Sequence, residues 1–183
     1  MKVSFDGLDG ILEGKGKIGI VIAHGRNNTM ALPMLKDLAK ALSKSFTVLR
    51  FNYDMSDDYL ELARQQISAI DYLKDSCEKI ILVGKSMGGM LSLYAATKRH
   101  VKAVVVLGFP IREITEEYAF LLNVKCPIFI VQGDKDAYAL PEYVAPSAKQ
   151  MGAEMVVIKG DHSYKGNEKK AVQLVVDWLK RFK

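Results

Sequence analysis

The chain has 183 residues, 49% of them hydrophobic and 26% charged, which suits one compact domain, here taken as residues 1–183, with little room for a second. No apolar run is long enough to span a membrane; Ala103–Leu107 and Ile128–Val131 are typical. The formal net charge of +5 does not point to nucleic acid, because the densest clusters, Lys98-Arg99-His100 and Lys180-Arg181-Phe182-Lys183, fall where helices should end and the dipole favours cations.

The opening, Met1-Lys2-Val3-Ser4-Phe5-Asp6-Gly7, has no sustained apolar segment, so no secretory signal is expected. A glycine-rich start (Gly7, Gly10, Gly14, Gly16) leaves room for a short hairpin. A regular rhythm follows. Ile18–Ala23 reads as a strand, and Leu35, Leu38, Ala39 and Leu42 then share one helical face. Phe46–Phe51 is the next strand. The acidic Asp57-Asp58 suits a helix start, with Leu60, Ala63, Ile67 and Ile70 as its apolar stripe. Lys79–Val83 precedes a helical segment, Met90–Lys98, and Ala103–Leu107 follows. The connection Phe109–Cys126 reads as a loop with one short helix around Ile114–Leu122. After the runs Ile128–Val131 and Met155–Ile158, a last helix carries Ala171, Leu174, Val175, Trp178, Leu179 and Phe182 on one side.

The strand runs lack polar/apolar alternation, as strands buried on both faces do. With amphipathic helices between them, right-handed crossovers give an α/β fold. The expectation is a doubly wound, mostly parallel sheet of about six strands with helices on both faces. Cys77 and Cys126 are isolated in sequence and form no metal-ligand pattern. Two buried thiols in a reducing cytoplasm is the simplest reading, and nothing in the spacing asks for a disulfide.

The most informative segment is Gly84-Lys85-Ser86-Met87-Gly88, between a buried strand and a helix. This G-x-S-x-G pattern fits a nucleophile elbow, in which the serine sits on a strained turn and glycines stand where a Cβ would clash. The alternative is a plain turn. Of the three histidines, His100 lies in a basic helix end and His24 comes before the serine. His162 follows the last strand run and is the candidate base, against the alternative of a loop histidine capping the final helix. The orienting acid should lie between serine and histidine, and Asp134 and Asp136 follow a core strand directly. Asp136 is favoured because it stands further beyond the strand end, while Asp134 suits a turn brace. The oxyanion donors would be the backbone N–H groups of Met87 and of Arg26, in the His24-Gly25-Arg26 loop. Gly25, Tyr53, Asp54, Phe109, Tyr138 and Tyr164 are candidates to line the pocket, with a surface or packing role as the alternative for each. Arg26 could favour an acidic substrate, and a salt bridge to Asp54 or Asp57 explains it equally well.

Together, the His24-Gly25 segment, the Gly84–Gly88 elbow, the Gly133–Asp136 loop and Asp161-His162 resemble the α/β-hydrolase superfamily. The chain looks most like its short, cap-less members, the dienelactone-hydrolase-like and small serine-esterase-like group. The resemblance extends from about Ile18 to the C-terminus. It implies a catalytic triad of Ser86, Asp136 and His162 and an acyl-enzyme mechanism without metal or organic cofactor. Two departures matter: dienelactone hydrolases proper use a cysteine where this elbow has Ser86, and much of the usual N-terminal antiparallel part is missing. Lys85 beside the serine has no role that the sequence assigns.

The implied function is a serine hydrolase acting on a small ester or thioester in an open site, as a monomer or small homo-oligomer, without nucleic-acid or membrane partners. An acyltransferase or peptidase on the same triad is one alternative. The other is a non-catalytic binding or scaffold protein that retains the fold.

Overall fold

The computed structural model describes residues 1–183. It contains one eight-stranded sheet. Strands β1 (Lys2–Phe5) and β2 (Leu8–Glu13) form an antiparallel hairpin through Asp6 and Gly7, at φ 48° and 78°. Two consecutive positive φ values make a tight turn whose twist matches the strands it joins. The six expected strands follow as β3 (Ile18–Ala23), β4 (Thr47–Phe51), β5 (Lys79–Lys85), β6 (Ala103–Leu107), β7 (Ile128–Gly133) and β8 (Glu154–Ile158). The hairpin accounts for the two strands beyond the expected six.

The order across the sheet is β1-β2-β4-β3-β5-β6-β7-β8. From β4 to β8 all pairings are parallel, and β2 joins β4 antiparallel. The chain steps from β3 outward to β4, then crosses back to β5 on the other side of β3. This reversal opens a crevice beyond the carboxyl ends of β3 and β5, the usual place for a site in open α/β sheets.

Five α-helices cover the two faces. On one face, α2 (Tyr59–Lys74), α3 (Met87–Lys98) and α4 (Pro141–Gln150) close a core of 31 buried residues. On the other, α1 (Pro33–Leu42) and α5 (Glu168–Leu179) close a core of 22. No helix is long and apolar enough to cross a membrane. The expected stripes of α1 and α5 face inward. In α2 the stripe is rotated: Leu60 is exposed, while Gln65 and Gln66 are buried beside Ala63 and Ile70. The glutamines can be buried because each is hydrogen-bonded, Gln65 to the Asp54 backbone and Gln66 to Tyr53 and Ser92. Cys77 and Cys126 are both free thiols.

Between β6 and β7 the chain forms only a loop and a 3₁₀ helix, Glu116–Asn123. No cap domain stands over the sheet edge.

Candidate active site

Ser86 lies between β5 and α3 with φ 53° and ψ −117°. An L-residue with a side chain avoids this conformation, and it persists here because the surroundings leave no alternative. A Cβ on Gly84 would fall 2.3 Å from the Gly88 carbonyl carbon, and one on Gly88 would fall 2.5 Å from the His24 oxygen. The glycines of the motif are therefore steric requirements of the sharp turn. The Ser86 carbonyl accepts the first helical bonds, from Gly89 and Met90 N–H at 2.8 and 3.1 Å. The Met87 N–H precedes that ladder and remains among the unpaired donors of the helix N-terminus.

Asp136 is fully buried on the loop after β7. Its Oδ2 lies 2.7 Å from His162 Nδ1. The Tyr138 backbone N–H donates to Oδ1 at 3.0 Å, and Gln132 Nε2 donates to Oδ2 at 3.1 Å. These donors fix the orientation of the carboxylate. With Nδ1 committed to Asp136, Nε2 is the ring nitrogen left for other work. His162 is held in turn by a turn around Asp161, whose Oδ1 accepts from Ser163 and Lys165 N–H at 2.8 and 3.1 Å. Those two bonds, the Lys165 one foremost, hold the Asp161 carboxyl below its ordinary range. Asp134 braces a turn, though of the neighbouring loop: Gly160 N–H donates to its Oδ1 at 2.9 Å.

Ser86 and His162 open onto the same cavity, which Gly25, Arg26, Met87 and Tyr138 also line. No hydrogen bond joins the Ser86 hydroxyl to the His162 ring; in hydrolytic sites this contact commonly tightens only in the substrate complex. The Arg26 guanidinium pairs with Asp57 at 3.2 Å and lies 5.2 Å from the Tyr59 ring centre. No group of three His, Cys, Asp or Glu side chains is arranged to hold a metal ion.

Residues 16–180 match the model of an alpha/beta hydrolase domain. The chain belongs to the α/β-hydrolase family. No curated protein matches it in sequence. Among solved structures, an alpha-beta serine hydrolase homologue from Coxiella burnetii is 24% identical, with 98% of this chain and 96% of that one covered and a TM-score of 0.86. XC6422 from Xanthomonas campestris, described as an a/b serine hydrolase without lid, is 17% identical with a TM-score of 0.86, covering 100% of this chain and 94% of that one. A dienelactone hydrolase from Anabaena variabilis is 24% identical, with 99% and 95% covered and a TM-score of 0.82. The α/β-hydrolase fold thus extends over the whole chain, cap-less as in the Xanthomonas protein.

Not every expected lining residue of this α/β hydrolase faces the cavity. Tyr53 is a correction: it is buried, and its hydroxyl donates to Gln66 Oε1 at 2.6 Å. Phe109 is another, fully buried with its backbone N–H clamped by Gln132 Oε1 at 2.8 Å. Tyr164 turns inward at φ 59° and donates to the Val131 oxygen at 2.6 Å, and Asp54 is exposed outside the cavity wall. All four sit near the sheet edge as expected, but packing against the strands decides which way each side chain points.

Three supporting residues stand outside the predicted triad and oxyanion donors. Gln132, at the end of β7, ties Asp136 to the Phe109 and Ala139 backbones. His24 opens the predicted oxyanion loop; its Nδ1 lies 2.8 Å from the Gly25 oxygen, and its Nε2 accepts the Tyr53 N–H at 3.2 Å. The ring is therefore neutral and anchors the Gly25-Arg26 loop, and burial lowers its pKa below 6.5. Lys85 points to the α5 side of the sheet and is 5% exposed, with its Nζ bonded to nothing. Burial pushes its ammonium from 10.5 down to about 8, with Asp136 and Asp161 opposing the fall. Residue type alone was the available signal in each case: a polar residue within or beside a strand run that is otherwise apolar.

Proposed function

We propose that this α/β hydrolase is a serine hydrolase that cleaves an ester or thioester through an acyl-enzyme. The observation that carries this reading is the 2.7 Å contact between buried Asp136 and His162, on a cavity shared with the strained Ser86. In the proposed reaction His162 Nε2 removes the Ser86 proton as Oγ attacks the carbonyl carbon. The Met87 and Arg26 N–H groups hold the tetrahedral oxyanion, and Asp136 stabilises the imidazolium. Collapse breaks the bond to the leaving group, which takes its proton from His162. Water then enters, gives its proton to His162, attacks the acyl carbon and releases the acid. Ser86 recovers its proton at the end. Nothing in this sequence calls for a metal or organic cofactor. A reducing compartment such as the cytoplasm agrees with the two free thiols.

The test is labelling with a fluorophosphonate probe together with p-nitrophenyl acetate hydrolysis. Wild type should label at Ser86 and turn over, and Ser86→Ala should lose the label and about a thousandfold or more of turnover. Equal turnover by both proteins would overturn the assignment. An unlabelled and inactive wild type would favour a binding protein on the same fold.

A further inference from the structure

We infer that the substrate is a neutral ester or thioester with a long or bulky apolar acyl group, seated between α2, α3 and the 3₁₀ helix Glu116–Asn123. The inference rests on the serine-hydrolase reading above and narrows it. The cavity over Ser86 has a volume of about 1040 Å³, the upper end of what drug-sized ligands need. An acetyl group would leave most of that space to water.

The two ends of the cavity belong to opposite faces of the sheet. His162 is carried by the loop that packs into the α1–α5 face through Tyr164, and the Tyr138 ring lies 4.5 Å from the His162 ring. A leaving-group oxygen must lie beside the imidazole that protonates it, so the alcohol or thiol portion belongs at this end. The acyl portion then points across Ser86 to the other face. The wall there is built from Tyr59, Leu60 and Ala63 of α2, Leu91 and Tyr94 of α3, and Phe120 of the 3₁₀ helix.

A second observation supports an apolar occupant. Tyr59 and Leu60 are each 54% exposed, among the few large apolar side chains that the fold leaves uncovered. Leu60 is the residue whose helical position predicted burial in α2, yet it faces the cavity while glutamines occupy the buried side. Exposed apolar surface on a cavity wall marks a binding region.

The cavity wall offers an acidic acyl group little free positive charge. Of the two cations on the cavity wall, Arg26 is held by Asp57 and Lys85 Nζ has no exposed surface. The remaining charged groups there, Glu117 and Glu168, would repel a carboxylate.

The experiment is a series of p-nitrophenyl esters from acetyl to octanoyl, with a succinyl half-ester as the acidic member. Each methylene that leaves water is expected to raise kcat/KM about fourfold when fully buried, so the series should rise about tenfold or more even with partial burial. Leu60→Asp, at an exposed position, and Ala63→Phe, which fills the wall, should each lower the octanoyl-to-acetyl ratio about tenfold. A flat or falling series in a wild type that labels at Ser86 would overturn this inference and leave the serine-hydrolase reading intact. So would a succinyl ester that outpaces a neutral ester of equal length, or variants that lower both substrates equally. No Ser86-dependent turnover of any ester would overturn both.

Discussion

Replacing Lys85 with Met should stabilise the protein, because the native ammonium is buried without a partner. In the unfolded chain the amine keeps its proton up to 10.5, whereas in the fold it loses it at about 8. Between these values the unfolded state binds more protons, so stability rises with pH across the window. Below it the full penalty is present. The gap corresponds to about 3 kcal/mol, a net figure that already includes the attraction of Asp136 and Asp161. Methionine fills a similar volume with no charge to desolvate, and exchanging a buried charge for an apolar group is often stabilising. In a domain of this size the gain at pH 7 should appear as a rise in Tm of roughly 6–12 °C. Thermal and urea unfolding followed by circular dichroism at pH 7 and near pH 10.5 would measure it. The advantage of Lys85→Met should shrink at the higher pH, where the folded wild type has shed its proton and the unfolded chain is losing its own. A variant less stable than wild type at pH 7 would refute the reasoning, since it would mean that the two carboxylates repay more than desolvation costs. So would an advantage unchanged with pH.

Two further outcomes follow from the supporting residues. Because burial depresses the His24 pKa, the unfolded chain takes up its proton first as pH falls below 6.5, and wild-type stability should decline there. His24→Asn should show a shallower decline between pH 7 and 5 by urea titration, and an identical slope would refute the assignment. Gln132→Leu strips a donor from Asp136 and leaves the Ala139 oxygen and Phe109 N–H unpaired. It should cost about 1–3 kcal/mol of unfolding free energy and lower kcat about tenfold or more with little change in KM. Unchanged kcat would show that Asp136 needs no such support.

The two levels of structure divide the information cleanly. Strands β3, β5, β6 and β7 are legible as apolar runs because burial on both faces marks nearly every residue of such a strand; β4 carries buried Thr47 and Arg50 within its run, and β8, at the sheet edge, is only partly covered. The elbow was legible because a backbone approach as close as that of Gly84 to Gly88 admits no other residue type. Helix α4 escaped periodicity: it carries Pro141 in its first turn and Pro146 inside, and buries only Val144, Ser147 and Ala148. Sequence order alone also singled out Asp136 and His162, since each follows a strand whose carboxyl end meets the crevice.

Side-chain direction was not legible. Tyr53, Phe109 and Tyr164 stand at the right edge but turn into the core, and the α2 stripe rotates to bury Gln65 and Gln66. Lys85 has no role that the sequence assigns until the sheet places it at the end of β5, beside the Tyr164 ring of the β8–α5 loop. Composition and local pattern determined which segments become strands and helices and which residues could do chemistry, because backbone sterics and apolar burial act over a few neighbouring positions. Only the tertiary structure decided which side chains meet, because each contact joins residues brought together from different strands and loops, and its energy depends on everything packed around it.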